Sequence, residues 1–325
     1  FYIFKQSIMV QVASEILRDK AGDIDLVSWL DYLHKIYPEQ KVLLIKDALD
    51  YLKSKVSNNS IEPEPEPELE SGIESAVLLS ELKADPIAII ASLLFKFYQV
   101  SPISLNNSEF EKNSEILTIL QALSKLEILS GGENAGKELL EQQTNMIRKM
   151  LLSMVSDVRI VLVKLAHQVI IMRNIKNIES PTDQLAIANI VLKIYAPLAN
   201  RLGIGQLKWE LEDRAFSIIE PDNYQNIKQI LNEKRVAREE RLNLAKDTLI
   251  QEIENLGIEA QIQGRVKHIY SISKKISKKN LDFSSLYDTQ ALRVLVEDVS
   301  LCYRVLSLLN EIWDPVVSEF SDYIA

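Results

Sequence analysis

The chain of 325 residues is long for a single hydrophobic core, so we expect two or three domains. Its formal net charge of −9 argues against binding to DNA, and its single cysteine, Cys302, excludes an internal disulfide and favours a reducing compartment. No apolar run approaches the roughly 20 residues that cross a bilayer. We therefore expect a cytoplasmic protein with no membrane segment and no direct DNA binding.

Apolar periodicity predicts helices along most of the chain. They cover residues 25–55, 71–99, 110–129, 137–174 and 181–256, with a break near Asp85–Pro86. Ser180 followed by Pro181 is typical of a helix start. Between the first two helical regions, prolines alternate with glutamates over residues 62–70, which predicts an extended, solvated linker.

The pattern changes towards the end of the chain. Residues 257–264 alternate apolar and polar side chains between two glycines, which predicts a strand, and residues 291–296 predict a second strand. A basic helix is predicted between them. Lys267, Ser271, Lys274 and Lys278 fall within a narrow sector of it, and Ile269, Ile272 and Ile276 lie roughly opposite, where they can face a core. Two strands cannot form a stable sheet core, so we expect this α/β domain to be incomplete.

Positive charge is concentrated on this helix although the chain as a whole is acidic. Six of the sixteen residues from Arg265 to Asn280 are Arg or Lys and none is acidic, and Asp288 follows soon after. Lysine offers a point charge to phosphate, arginine offers a bidentate fork, and aspartate is a hard oxygen ligand for Mg²⁺. These residues predict a site for a Mg²⁺-bound polyphosphate. A solvated basic helix face is the alternative interpretation.

A glycine-rich segment, residues 131–138, has the spacing of a phosphate-binding P-loop. Glu138 stands where a Ser or Thr would bind Mg²⁺, and its charge would repel phosphate. The preceding residues 120–129 also favour a helix rather than a strand. We therefore interpret this segment as a loop before a helix and not as a nucleotide site.

Two blocks of the sequence resemble the RelA/SpoT homologues. The first contains Arg265, Lys267, His268, Tyr270, Ser271, Ile272, Lys275, Tyr287, Asp288 and Arg293, and the second is residues 195–213. The resemblance implies a mainly α fold: an all-α, inactive His-Asp-type hydrolase-like domain, a helical connector, and the start of an α/β nucleotidyltransferase-like synthetase domain. The corresponding boundaries are 1–178, 179–250 and 251–325.

The resemblance implies a GTP pyrophosphokinase of the stringent response. Such enzymes transfer pyrophosphate from ATP to the 3′-hydroxyl of GTP or GDP and produce (p)ppGpp and AMP. By the same resemblance Asp288 is the Mg²⁺ ligand, and Arg265 and Lys267 act with it in catalysis. The residues implied in ATP binding are Arg265, Lys267, His268, Ser271, Lys275 and Arg293.

The resemblance also implies that a hydrolase site in the first half of the chain has been lost. Bifunctional relatives hold a metal ion there with histidine and carboxylate ligands. The matching positions in this chain are Ser71, Phe95, Lys96, Gln99, Val100, His167 and Ile171. A lone histidine cannot replace a set of imidazole and carboxylate donors. Near the other end, Glu319 and Asp322 keep the acidic character of synthetase-only relatives.

By the same resemblance, the chain stops inside the synthetase domain, before the segment that contacts the guanosine substrate. The C-terminal domains through which long relatives sense ribosomes with uncharged tRNA are also absent from these 325 residues. We therefore expect this fragment to be inactive alone. Two alternatives are a non-catalytic regulator that binds nucleotide and a nucleic-acid binder that uses the basic helix, although a net charge of −9 argues against the second.

Overall fold

The protein folds into two compact units, one that ends at Pro221 and one that begins at Asp222. Most of their residues are helical, so the mainly α fold class predicted from the sequence is confirmed. The computed structural model describes residues 24–57, 66–100, 110, 113–129, 157–233, 235–266, 268–279, 290–317 and 320–324.

The first unit is a set of helices around one hydrophobic core. The helices are α1 (Leu26–Ile36), α2 (Glu39–Ser57), α3 (Glu66–Glu81), α4 (Pro86–Val100), α5 (Ser114–Leu129), α6 (Val158–Arg173), α7 (Pro181–Ile190), α8 (Ala196–Arg201) and α9 (Gly205–Ile219). Helix α3 packs against α4 and α6, and α4 also contacts α2 and α5. Trp29, Leu94 and Leu165 are fully buried in this core.

Helices α7 to α9 belong to this core, although the sequence assigned residues 179–250 to a connector. Ala188 of α7, Leu198 of α8 and Leu211 of α9 are buried, and α9 contacts both α6 and α7. These apolar faces pack against the preceding helices. Packing therefore divides the chain at Pro221 rather than at residue 178.

The predicted Glu/Pro linker is wrong over residues 66–70, where α3 has already begun. Pro67 lies in the first turn of α3. A backbone N–H in that turn has no partner inside the helix, so the missing N–H of proline removes no hydrogen bond. Proline therefore excludes a helix interior but not a helix start. Residues 58–65, the rest of the proline-containing segment, lie outside the described part of the chain.

Side-chain caps define the starts of three helices in this unit. Asp25, Asp157 and Ser180 are the N-caps of α1, α6 and α7, and each accepts a hydrogen bond from a backbone N–H in the first turn. Pro181 follows Ser180 as the first helical residue. The helix start predicted at this pair is confirmed.

Helix α7 continues into α8 through one wide π turn, Val191–Tyr195. The backbone N–H of Ala196, for example, donates to the carbonyl of Val191, five residues earlier. Pro197 explains this turn, because proline has no N–H and its ring would clash with the carbonyl four residues before it in a regular helix. The wide turn accommodates the proline inside an otherwise continuous helix.

The second unit combines helices with an antiparallel ribbon. Its elements are α10 (Pro221–Glu233), α11 (Arg235–Asn255), β1 (Gln261–Val266), α12 (Ile269–Lys279), β2 (Gln290–Leu295) and α13 (Val299–Ile312). Strand β1 pairs with β2 so that Gln263 lies opposite Arg293 and Arg265 lies opposite Ala291. The apolar face of the ribbon packs on a small core. That core consists of Leu249, Ile253, Ile258, Val305 and Leu308.

Strand β1 starts later than predicted, at Gln261 rather than at residue 257. Gly257 closes the end of α11 with a φ of +66°, which favours glycine, and Ile258 then enters the core before strand pairing begins. Strand β2 agrees with its prediction to within one residue, and helix α12 lies between the two strands as predicted. Ile269 and Ile272 are fully buried, so the predicted core-facing side of α12 is confirmed there.

Candidate functional site

The polar face of the β ribbon carries the positions of both candidate arginines. In an antiparallel pair, directly opposed positions lie on one face, as do positions two apart in a strand. Because Gln263 pairs with Arg293 and Arg265 with Ala291, the positions of Arg265 and Arg293 share a face. Arg293 is exposed on that face. The strand register thus brings two predicted phosphate-binding positions together.

Helix α12 carries two more candidates on its polar side. Ser271 and Lys275 are one turn apart, and both are partly exposed. The ammonium group of Lys274 lies 4.5 Å from the centroid of the Tyr270 ring, which is a cation–π contact. Lys274 is therefore held against its own helix, whereas Ser271 and Lys275 offer a hydroxyl and an ammonium group on one side of it.

His268 lies immediately before α12 and is only 3% exposed. Its Nε2 atom is 2.6 Å from the Oγ atom of Ser271, which is hydrogen-bond distance. Its backbone carbonyl accepts a hydrogen bond from the N–H of Ile272 at the start of the helix. The imidazole therefore reaches the candidate site through the Ser271 hydroxyl.

Two of the predicted catalytic residues, Lys267 and Asp288, lie outside the described residues, as does the side chain of Arg265. The P-loop-like segment 131–138 and Glu319 lie outside them as well. Within the described ranges, no group of three or more His, Cys, Asp or Glu side chains could hold a metal ion. The Mg²⁺ site at Asp288 stays a prediction.

The positions predicted to correspond to a hydrolase site lie on three helices of the first unit. Ser71 is on α3, Phe95, Lys96, Gln99 and Val100 are on α4, and His167 and Ile171 are on α6. These three helices pack against one another. The Phe95 ring stacks on the His167 imidazole, with 5.3 Å between the ring centroids and 21° between the planes. On the same imidazole, Nε2 lies 3.0 Å from the Oγ atom of Ser92.

The surroundings of His167 keep its imidazole neutral. Burial, followed by the positive charges of Lys164 and Lys96, lowers the pKa of His167 to about 3. No described residue forms a hydrogen bond with its Nδ1 atom. The Phe95 ring covers one face of the imidazole, Ser92 occupies Nε2, and the two lysines add positive charge. These side chains do not fit a divalent metal ion.

A buried charge network joins α6 to α9, and sequence reasoning did not find it. Glu210 has no exposed surface and accepts hydrogen bonds from Nε and Nη2 of Arg173, at 2.7 and 2.9 Å, and from Nε of Arg214, at 2.9 Å. Burial lowers the pKa of Arg173, but the hydrogen bonds to Glu210 outweigh this effect and the net pKa is raised. The position of Glu210 inside the block 195–213 was the one signal that could have marked it.

Asp322 is one of the two acidic residues near the end of the chain that resemble those of synthetase-only relatives, and its carboxylate accepts two hydrogen bonds. Tyr303 Oη donates a hydrogen bond to Asp322 Oδ2 at 3.0 Å, and the N–H of Ile324 donates to Oδ1 at 2.8 Å. The bond to Asp322 is the first cause of a raised pKa of Tyr303. The carboxylate thus ties the last described residues to α13.

Models of two known protein families match two separate regions of the chain. The family model described as "HD domain" matches residues 48–205, and the one described as "Region found in RelA / SpoT proteins" matches residues 264–325. The GTP pyrophosphokinase of Photobacterium angustum is 38% identical over 256 residues, which are 78% of this chain and 34% of that protein. The chain belongs to the RelA/SpoT family.

Other RelA/SpoT proteins are similar over as much of the chain or more. The GTP pyrophosphokinase of Escherichia coli K12 is 32% identical over 319 residues, which are 98% of this chain and 42% of that protein. The probable guanosine-3′,5′-bis(diphosphate) 3′-pyrophosphohydrolase of Synechocystis is 37% identical over 260 residues, 80% of this chain and 33% of that protein. The chain therefore spans from about a third to two-fifths of the length of these relatives.

The two family matches coincide with the two sites described above. The RelA/SpoT region begins at Gly264 and includes α12, β2 and α13, and the HD-domain region includes α3, α4 and α6, on which the hydrolase-related positions lie. The described helices include none that is long and apolar enough to cross a membrane.

Proposed function

We propose that the protein is a GTP pyrophosphokinase of the stringent response, and that this chain supplies the ATP-binding part of its synthetase domain. The observation that carries the proposal is the presence of basic and hydroxyl side chains on the polar sides of two elements within the matched segment 264–325. Arg293 is exposed beside the position of Arg265 on the ribbon, and Ser271 and Lys275 lie one turn apart on α12. Only two residues separate β1 from α12, so both elements belong to one short stretch of chain.

The proposed reaction moves the β,γ-pyrophosphate of ATP to the ribose of GTP or GDP. A bond forms between the 3′-oxygen and the β-phosphorus, the bond from that phosphorus to the α-phosphate oxygen breaks, AMP leaves, and the 3′-hydroxyl loses its proton. Such transfers depend on positioning and on neutralising the charge of the moving group. Arg265 and Arg293 offer bidentate forks to the phosphates, and Lys267 and Lys275 offer point charges.

We assign Mg²⁺ to Asp288 by resemblance to the family. Bound there, the ion would stabilise the negative charge that develops on the phosphate oxygens. A carboxylate is a suitable hard oxygen ligand, and Mg²⁺ commonly takes only one or two carboxylates from a protein together with substrate phosphates.

We further propose that the HD-domain region has lost its hydrolase activity. The side chains around His167 support this proposal. The Phe95 ring, the Ser92 hydroxyl and the charges of Lys96 and Lys164 stand where a metal ion would need carboxylate and imidazole donors. The region then serves as a scaffold for the rest of the protein.

The test uses the protein translated from the whole gene, incubated with ATP, GTP and Mg²⁺, with and without ribosomes that carry uncharged tRNA. We expect pppGpp and AMP in equal amounts, with faster synthesis on those ribosomes. The product should disappear in Asp288→Ala and persist in Asp247→Ala, which removes an exposed carboxylate from α11. No product under either condition would refute the proposal and favour a non-catalytic, nucleotide-binding regulator.

Two further incubations test the remaining parts of the proposal. The 325-residue chain alone should form no (p)ppGpp, because the segment that contacts guanosine in the family is not part of it. The whole protein incubated with ppGpp and Mn²⁺ should release no pyrophosphate. Release of pyrophosphate that persists in His167→Gln would show that a hydrolase site exists elsewhere in the protein. Release that His167→Gln abolishes would show that the HD-domain region is an active hydrolase.

A further inference from the structure

We propose that His268 is a positioning residue that orients the hydroxyl of Ser271 towards an ATP phosphate and does not itself bind phosphate. This inference rests on the proposed function and refines it, since the resemblance alone placed His268 among the ATP ligands. Its basis is the burial of the ring, 3% exposed, and the 2.6 Å distance between His268 Nε2 and Ser271 Oγ.

His268 is held at its backbone and is buried. The His268 carbonyl accepts the N–H of Ile272, which holds its backbone at the start of α12. Ile269 and Ile272 have no exposed surface, and His268 itself is only 3% exposed. A phosphate could reach such a buried imidazole only by losing most of its water, which is costly for a charged group. Ser271, in contrast, is partly exposed.

The hydrogen bond between His268 and Ser271 determines which ring nitrogen must carry a proton if the serine is to donate to phosphate. A serine hydroxyl has one proton to donate and two lone pairs to accept with, whereas a phosphate oxygen can only accept. If Nε2 were unprotonated, Ser271 would donate its single proton to His268 and have none for the ligand. If Nε2 carries the proton, it donates to Ser271 Oγ and leaves the hydroxyl proton for phosphate. We therefore assign the protonated Nε2 form to the ATP complex.

Lys275 adds a positive charge on the side of α12 that carries Ser271. It lies one turn after Ser271 on the same side of α12, so a phosphate that accepts the hydroxyl proton is also near an ammonium group. Lys274 is engaged with the Tyr270 ring at 4.5 Å. The direction of a single hydroxyl, set by a buried histidine, therefore contributes to where the phosphate lies.

The test is a double-mutant cycle on the affinity of the protein translated from the whole gene for Mg²⁺-ATP in the absence of GTP, measured by calorimetry. Ser271→Ala should weaken binding about tenfold, the value for one hydrogen bond to a charged group. His268→Leu should weaken it by a similar factor, and the double variant should be no weaker than Ser271→Ala, because the histidine acts only through the serine. His268→Gln, whose amide can still donate, should recover most of the affinity. Ser277→Ala, an exposed serine of the same helix, should bind like the wild type.

Additive losses in the double variant, about a hundredfold together, would overturn the inference, because His268 would then contact the ligand independently. Wild-type affinity in His268→Leu would overturn it as well. If His268→Leu fails to fold, the affinity of His268→Gln and ¹⁵N NMR of the wild-type ring test the inference instead. An unprotonated Nε2 in the ATP complex would refute the assignment. A wild-type whole protein that binds no ATP would instead refute the proposed function, and the inference with it.

Discussion

Acid should destabilise the first unit through His167. In the folded protein, burial and the charges of Lys164 and Lys96 lower the pKa of His167 from its ordinary value of 6.5 to about 3. In the unfolded chain the imidazole takes up a proton as the pH falls below about 6.5, whereas in the folded protein it stays neutral down to about pH 3. Protonation therefore favours the unfolded state throughout this window, and stability falls as the pH is lowered.

The size of the effect follows from the difference between the two pKa values. A difference of one pKa unit corresponds to about 1.4 kcal/mol, so the full loss below pH 3 is about 5 kcal/mol. At pH 7 the loss is close to zero, and at pH 5 it is about 2 kcal/mol. A small domain has a total stability of about 5–15 kcal/mol, so a loss of this size at pH 5 is measurable.

Urea unfolding at pH 7 and pH 5, followed by tryptophan fluorescence, measures this loss. Trp29 and Trp209 lie in the same unit as His167 and report its unfolding. The free energy of unfolding of the wild type should fall by about 2 kcal/mol more between the two pH values than that of His167→Gln, which has no imidazole to protonate.

The comparison has an internal control. His34→Gln removes an exposed histidine of α1 by the same substitution and should keep the full pH dependence of the wild type. Equal pH dependence in the wild type and His167→Gln would refute the argument, as would an NMR titration of His167 with a midpoint near its ordinary value. Either result would mean that water or a counter-charge reaches this imidazole in the folded protein.

Three further predictions concern stability and are checked by urea unfolding at pH 7. Glu210→Ala should lower the free energy of unfolding by about 3–5 kcal/mol, because it leaves two partly buried guanidinium groups without their carboxylate. The control Glu179→Ala, at an exposed position, should lower it by less than about 0.5 kcal/mol. Similar losses in the two variants would contradict the prediction. Ser180→Ala should cost about 1 kcal/mol, because it removes the N-cap of α7; unchanged stability would show that the cap contributes nothing. Trp29→Phe should cost about 2 kcal/mol, because it removes a buried hydrogen bond to Ser80 and part of the core volume; unchanged stability would rule out that contribution.

The sequence predicted the helices well because their apolar positions repeat at the helical period and their starts carry explicit signals. Ser180 and Pro181 mark one such start, and Ile269 and Ile272 mark the buried side of α12. Both kinds of signal are local, since they depend on residues within one or two turns. The basic helix α12 was found from an equally local signal, a concentration of positive charge.

What the sequence did not predict depends on partners that are distant along the chain. Glu210 looks like a surface residue in the sequence, because isolated acids are rarely buried. Its burial is stable because it pairs with Arg214 on its own helix and with Arg173 from the distant α6. The pairing of β1 with β2 is likewise set by contacts across the ribbon and not by alternation within one strand. His268 was placed among the ATP ligands by resemblance, whereas the positioning role proposed above rests on its burial and its contact with Ser271.

The wide turn at Val191–Tyr195 also restricts how this part of the gene can change. A π turn holds one residue more than an α turn requires, so the loss of a single codon would convert it into a regular turn. The later residues, including buried Leu198 and Ala199, would keep their orientation, because the wide turn absorbs the residue that is lost. Pro197, however, would then meet the carbonyl four residues before it. A single-codon deletion in this turn therefore requires a substitution of Pro197 as well.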